Sequence, residues 1–177
     1  MDRMIDPSLD DKSTWGKGPW HGEPDRVEWR HAGLPCLAIR NHHGAWCGYA
    51  AVPPRHPLHG KDYDTPDVRV HGGVTYASLC ADGICHVAKP GEPEDVWWFG
   101  FDCMHSGDFA PAMHARTRRL GGPFRDEAYD HEAAVAALAS ETVRRDVYRT
   151  LDYVLAETNQ LAEWLAAARG GKNSEEE

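Results

Sequence analysis

A chain of 177 residues, 41% hydrophobic and 27% charged, has the size and composition of one globular domain. It is long enough to bury about two-thirds of its unfolded surface. The formal net charge of −9 excludes a general duplex-binding role, which needs a basic surface, but leaves room for a small anion in a local basic pocket. No apolar run reaches the roughly 18 residues of a membrane span, and the Asp-rich start lacks a signal-peptide pattern. The expectation is therefore a cytoplasmic protein.

Residues 1–25 are polar, with Gly, Pro and Asp throughout, and predict an irregular arm whose Trp15 and Trp20 pin it to the domain or to a partner subunit. Residues 26–169 follow as a single α+β domain, and 170–177 form an acidic tail. Val27 to Ala32 opens a sheet, and Pro35 to Arg40 makes a second strand. Asn41-His42-His43-Gly44 has turn chemistry, and Ala45 to Val52 returns to complete a hairpin. Pro53 to Pro66 is a loop carrying His56, His59, Lys61, Asp62, Tyr63 and Asp64. Val68 to Tyr76 alternates as a strand would, with Arg69, His71, Gly73 and Thr75 on one side. Leu79 to Val87 reads as strand ends around an Ala81-Asp82-Gly83 turn, and Lys89 to Asp95 is a loop before the Trp97 strand. Helix is expected only after Asp130. There Val147, Leu151, Val154, Thr158, Leu161, Leu165 and Ala168 form an apolar stripe, closed by Gly170-Gly171 and followed by Glu175-Glu176-Glu177. The stripe packs on the sheet or pairs with its twin in a homodimer. The fold class is α+β: a twisted antiparallel sheet over about residues 27–103, covered by the long C-terminal helix.

Chemistry concentrates in Trp97 to Asp108. Strand alternation puts Trp97, Phe99, Phe101 and Cys103 on one face, and Trp98, Gly100 and Asp102 on the other. An aromatic wall, a gap and a carboxylate on one face suggest a ligand pocket, since a core would penalise Asp102 and a surface would waste Trp98. His71, Asp102, His105 and Asp108 suit a divalent Mn, Fe or Zn ion, or a general base with its orienting carboxylate. Against this, Asp102 and Asp108 could simply cap turns. Gly72-Gly73 and Gly100 mark close approach of a ligand, or bulges in a twisted sheet. Lys61, Arg69 and Arg116, the last within His114 to Arg119, supply phosphate-matching charge. Tyr63, Tyr76 and Trp98 offer stacking surfaces, with Gly73 and Thr75 alongside.

Five cysteines cannot all pair within one chain. Cys36, Cys47, Cys80, Cys85 and Cys103 are expected as free thiols or partial metal ligands. Cys80, Cys85 and His86 could join Cys103 or His105 around structural zinc, but two buried thiols flanking a hairpin fit the spacing better. No Walker loop, dinucleotide fingerprint, nucleophile elbow or kinase motif is present.

Trp46-Cys47-Gly48-Tyr49, His56 to Tyr63, His71-Gly72-Gly73-Val74-Thr75-Tyr76, Trp97 to Asp108 and Tyr148 to Leu165 together resemble a family of small proteins encoded by tailed bacteriophages and prophages. The likeness covers about residues 27–165. It implies an accessory protein in the host cytoplasm and, by analogy with phage proteins that bind or degrade host immune nucleotide signals, a nucleotide-like ligand. Three function classes follow: a metal-dependent phosphodiesterase, a non-enzymatic protein that sequesters the nucleotide, and a structural virion protein. The paired carboxylates favour the enzyme, because a metal-free phosphate pocket gains nothing from two negative charges.

Overall fold

The computed structural model describes residues 11–120 (82 and 87 apart), 129–137 and 146–168. β1 (Arg26–His31) and β2 (Leu34–Arg40) pair antiparallel across Ala32 and Gly33, both in the left-handed region with φ of 49° and 79°. Positive φ at both central residues is what a tight hairpin turn requires. The next turn is held by Asn41, whose side-chain oxygen accepts from the N–H groups of His43 and Ala45, and β3 (Trp46–Val52) returns beside β2. β4 (Tyr76–Ser78) and β5 (Trp97–Asp102) complete the five-stranded antiparallel sheet in the order β1-β2-β3-β5-β4. Three helices follow: α1 (Pro111–Arg119), α2 (His131–Ala137) and α3 (Leu151–Ala168). The fold is α+β, with α3 laid on the sheet.

One face of the sheet buries Cys36, Ala38, Trp46, Ala50, Val52, Phe99 and Phe101 against Val154, Leu161 and Leu165 of α3. Gly48 lets the helix close on β3: a Cβ there would stand 2.3 Å from Thr158 Oγ1 and 2.6 Å from the Phe101 ring. The apolar stripe is thus consumed within the chain. The opposite face buries Leu37, Cys47, Tyr49, Ala51, Val96 and Trp98, with Tyr76, Cys80 and Ile84 packed around them. Its cover is the segment from Leu79 to Asp95, which Arg26 ties to β1 by donating to the carbonyls of Gly83 (2.7 Å) and Cys85 (2.5 Å).

The tryptophans do pin the arm to the domain. Trp20 is fully buried and packs on Phe109, Tyr129 and Tyr148. Nearby, Glu23 accepts from Arg40 (3.0 Å), Trp46 Nε1 (3.1 Å), the Tyr148 hydroxyl and the Leu151 N–H (2.8 Å), so the arm caps the start of α3. Burial alone would raise the Glu23 carboxyl, but these donors outweigh it and hold it below its ordinary value.

Four expectations need correction. Val68 to Tyr76 is not a strand: it turns at His71-Gly72, where Gly73 N–H donates to Val70 C=O, and only Tyr76–Ser78 pairs. Gly72 and Gly73 both have positive φ (66° and 85°), and two such residues in succession turn the chain out of the extended strand. Among the described residues of 79–87 there is one bridge, Ala81↔Ile84, rather than strand ends. Helix begins earlier than Asp130: the arm expected to be irregular carries short 3-10 helices at Lys12–Thr14 and Pro19–Gly22, and α1 opens with Pro111 in its first turn. Val147 lies outside α3 and forms a parallel bridge with Asp108. The Gly170-Gly171 stop and the acidic tail lie outside the described residues. Among those residues, no helix is long and apolar enough to cross a membrane.

Candidate acid–base site

The turn after β5 is built by its own carboxylates. Asp102 Oδ1 accepts from the Met104 N–H (3.0 Å) and Asp108 Oδ2 from the His105 N–H (2.9 Å), so both cap turns. The parallel bridge to Val147 then carries Asp108 beside Arg149, whose Nε donates to Asp108 Oδ1 at 2.9 Å. From the other side, the His71 turn brings Nε2 to within 2.7 Å of Asp108 Oδ2. The His71 backbone N–H donates to Glu157 at 2.7 Å, and its Nδ1 lies 3.0 Å from the Tyr153 hydroxyl. Every polar side-chain atom of His71 therefore has a partner.

Electrostatics follow from this packing. The Asp108 side chain is only 2% exposed. Burial pushes its carboxyl up, but hydrogen bonds from His71, Arg149 and the His105 N–H win, and it is held below the ordinary aspartate value. The Tyr153 phenol is pushed up by burial first and by neighbouring Glu157 second, with Arg149 opposing. Arg149 also sits over the Tyr153 ring, 5.1 Å from its centroid.

His71, Asp102, His105 and Asp108 do come together, as a chain rather than a cage. The His105 ring lies 5.4 Å from that of His71, and its Nε2 is 4.0 Å from Asp102 Oδ1, too long for a hydrogen bond. Thr75 joins the end of this chain, its hydroxyl 3.2 Å from Asp102 Oδ2. As a metal site the set fits poorly. The His71 nitrogens and both Asp108 oxygens are engaged with protein partners, and the four residues are not gathered as a group able to hold an ion.

The glycine signals have protein causes. A Cβ on Gly72 would stand 1.8 Å from His105 Nε2, so Gly72 makes room for an imidazole. A Cβ on Gly100 would stand 2.1 Å from the Tyr49 ring, which fills the expected gap. Trp98 is not a stacking wall: it is fully buried in the second core, because the Leu79–Asp95 segment covers that face. Tyr76 packs edge-on to Tyr49 on the same side. Gly73 sits in open space at the turn.

The basic residues lie elsewhere. Lys61 and Arg69 are exposed; the Lys61 carbonyl accepts from Trp97 and the Arg69 carbonyl from Gln160. Tyr63 is 49% exposed. Arg116 reaches the His42 carbonyl at 2.8 Å, and Arg118 and Arg119 line a separate open hollow with Thr14 and Ala115. The cation at the site is Arg149. With Tyr153 and Glu157 it was missed from the sequence, although the three recur every fourth residue beside the apolar stripe. Comparison with family models, with curated proteins and with solved structures returns no match to this chain.

Proposed function

We propose that the protein is a phage or prophage accessory protein that acts on a small phosphate-bearing molecule by metal-free proton transfer, with Tyr153, His71 and Asp108 as the relay. The observation that carries this reading is the His71–Asp108 contact of 2.7 Å at a carboxylate held ionised, with the Tyr153 hydroxyl on the other ring nitrogen. With Asp108 ionised, the neutral imidazole keeps its proton on Nε2, and the Nδ1 lone pair faces the phenol. A substrate hydroxyl or water gives its proton to the Tyr153 oxygen as the phenol's own proton passes to Nδ1, so the raised phenol need not ionise first, and the imidazolium formed is stabilised by Asp108. The guanidinium of Arg149 over the ring favours the negative charge that develops on the phenol oxygen during the transfer.

A second reading rests on the saturation of His71: the same bonds make a brace between its turn, the Asp108 turn and α3, around which an intact nucleotide would be sequestered. A panel of linear and cyclic nucleotides, incubated with the protein with and without EDTA, separates the two. The relay predicts products that persist in EDTA. It also predicts turnover lowered by about 100-fold or more in Tyr153→Phe and His71→Asn. Ligand bound but recovered intact selects sequestration. Cleavage abolished by EDTA overturns the metal-free mechanism, and no binding at millimolar concentration overturns the phosphate ligand.

A further inference from the structure

The segment covering the second face of the sheet holds a group that the relay does not use. Cys80 and Cys85 are joined by a disulfide across the Ala81↔Ile84 turn, which corrects the expectation of free thiols: the turn brings their Cα atoms to 4.8 Å, within bridging range. A bridge closing so short a loop removes little denatured-state entropy, so it is a weak staple. Beside it, the sulfur atoms and one ring nitrogen of His86 lie within 4.8 Å of one another. Among the described residues, this is the one set of three His, Cys, Asp or Glu side chains gathered so closely.

His86 gives the second observation. Both of its ring nitrogens are shut off from solvent with no hydrogen-bond partner among the described residues, and the ring stands edge-on to buried Trp98 at 5.8 Å. An imidazole with two unsatisfied buried nitrogens is costly. A metal bond to one nitrogen offsets that cost. Tetrahedral zinc with bonds of about 2.0–2.3 Å sets its ligand atoms about 3.3–3.8 Å apart, inside the span this group occupies.

We propose that Cys80, Cys85 and His86 form a redox-gated site for a thiophilic divalent ion, closed as the disulfide and opened by reduction. A dithiol reductant supplies two electrons and two protons, breaking the S–S bond and becoming a disulfide itself. The two thiols then release their protons as Zn²⁺ forms two Zn–S bonds and one Zn–N bond to His86, leaving the fourth position to water. The ion replaces the disulfide as the clasp of the covering segment, so the second core stays closed in either redox state. Cys36, Cys47 and Cys103 are buried free thiols elsewhere in the fold and take no part.

The test uses the full chain, either air-oxidised or reduced with a phosphine that does not compete as a thiol, dialysed against Zn²⁺. The reduced protein should retain one Zn²⁺ per chain and the oxidised protein none. Co²⁺ added to the reduced protein should give thiolate charge-transfer absorption. Cys80→Ser combined with Cys85→Ser should abolish both signals, and His86→Gln should weaken Zn²⁺ binding by about 100-fold or more. Because His86 packs on Trp98, X-ray absorption of the zinc-loaded native chain gives a second measurement, expected to show a mixed sulfur and nitrogen shell. No zinc retained after reduction, equal retention by the oxidised chain, retention by the double serine variant, or a shell without sulfur would each overturn the proposal.

Discussion

The two faces of the sheet are buried to the same depth by opposite means. Neighbouring residues of β5 show it: Phe99 points to α3, Trp98 to the Leu79–Asp95 segment, and both are fully buried. The α3 face is closed by a continuous helical stripe whose backbone satisfies its own hydrogen bonds. The other face is closed by a segment with little regular structure, which depends on side-chain ties: the carbonyl bonds to Arg26, the Arg30–Glu92 pair and the disulfide. The first face is closed by a regular helix, and the second leaves His86 and Trp98 Nε1 without hydrogen-bond partners among the described residues, where an interaction can still be gained.

The largest expected effect lies on the helical face. Leu161→Ala should cost about 2–5 kcal/mol, because Leu161 is fully buried between α3 and the sheet. A loss below about 0.5 kcal/mol in denaturant melts would show that the stripe does not carry the core. Gly48→Ala comes next, at about 1–3 kcal/mol, since the added methyl collides with Thr158 and the Phe101 ring. A neutral Gly48→Ala variant would mean that α3 rides more loosely on β3 than this packing allows.

On the loop face the effect should be smaller. Reducing Cys80–Cys85 in metal-free buffer should lower global stability by about 2 kcal/mol or less, while amide exchange rises selectively in the covering segment. Uniform acceleration of exchange across β2 and β3 would erase the contrast between the faces.

The least expected change in magnitude is a pH effect. Asp108 has a folded pKa below its unfolded value, so its contribution is fully present above the ordinary aspartate value of about 3.9. It is lost as pH falls through the lower folded value. Asp108→Asn should flatten that part of the acid limb of the stability curve, and an unchanged limb would argue against an ionised Asp108 in the fold.

Much of the sheet was legible in the chain. Strands of six and seven residues bounded by Ala32-Gly33 and Asn41 to Gly44 carry their own turn chemistry, and the α3 stripe carries its own period. Val68 to Tyr76 misled because alternation is necessary for a strand but says nothing about an available neighbour, and two glycines at positive φ turn the chain away from the ladder. The candidate site was half legible. His71 and Asp108 stood out by residue type, yet Arg149, Tyr153 and Glu157 did not, because their roles depend on a bridge between Asp108 and Val147 that no local pattern announces.

The sequence by itself determined the class of fold, the strands of the hairpin region, the buried stripe of α3 and the types of residue able to move a proton. Those follow from local periodicity, turn chemistry and side-chain pKa, which each short segment carries within itself. Only the tertiary structure decided what the glycines make room for, that Trp98 is core, that Cys80 meets Cys85, and that His71 meets Asp108 and Tyr153. Each of these is a meeting between segments folded together by burial of distant apolar surface, and the hydrophobic effect that drives it is non-directional. It fixes how much surface is buried, while the close packing of the particular side chains fixes which polar groups are left facing one another.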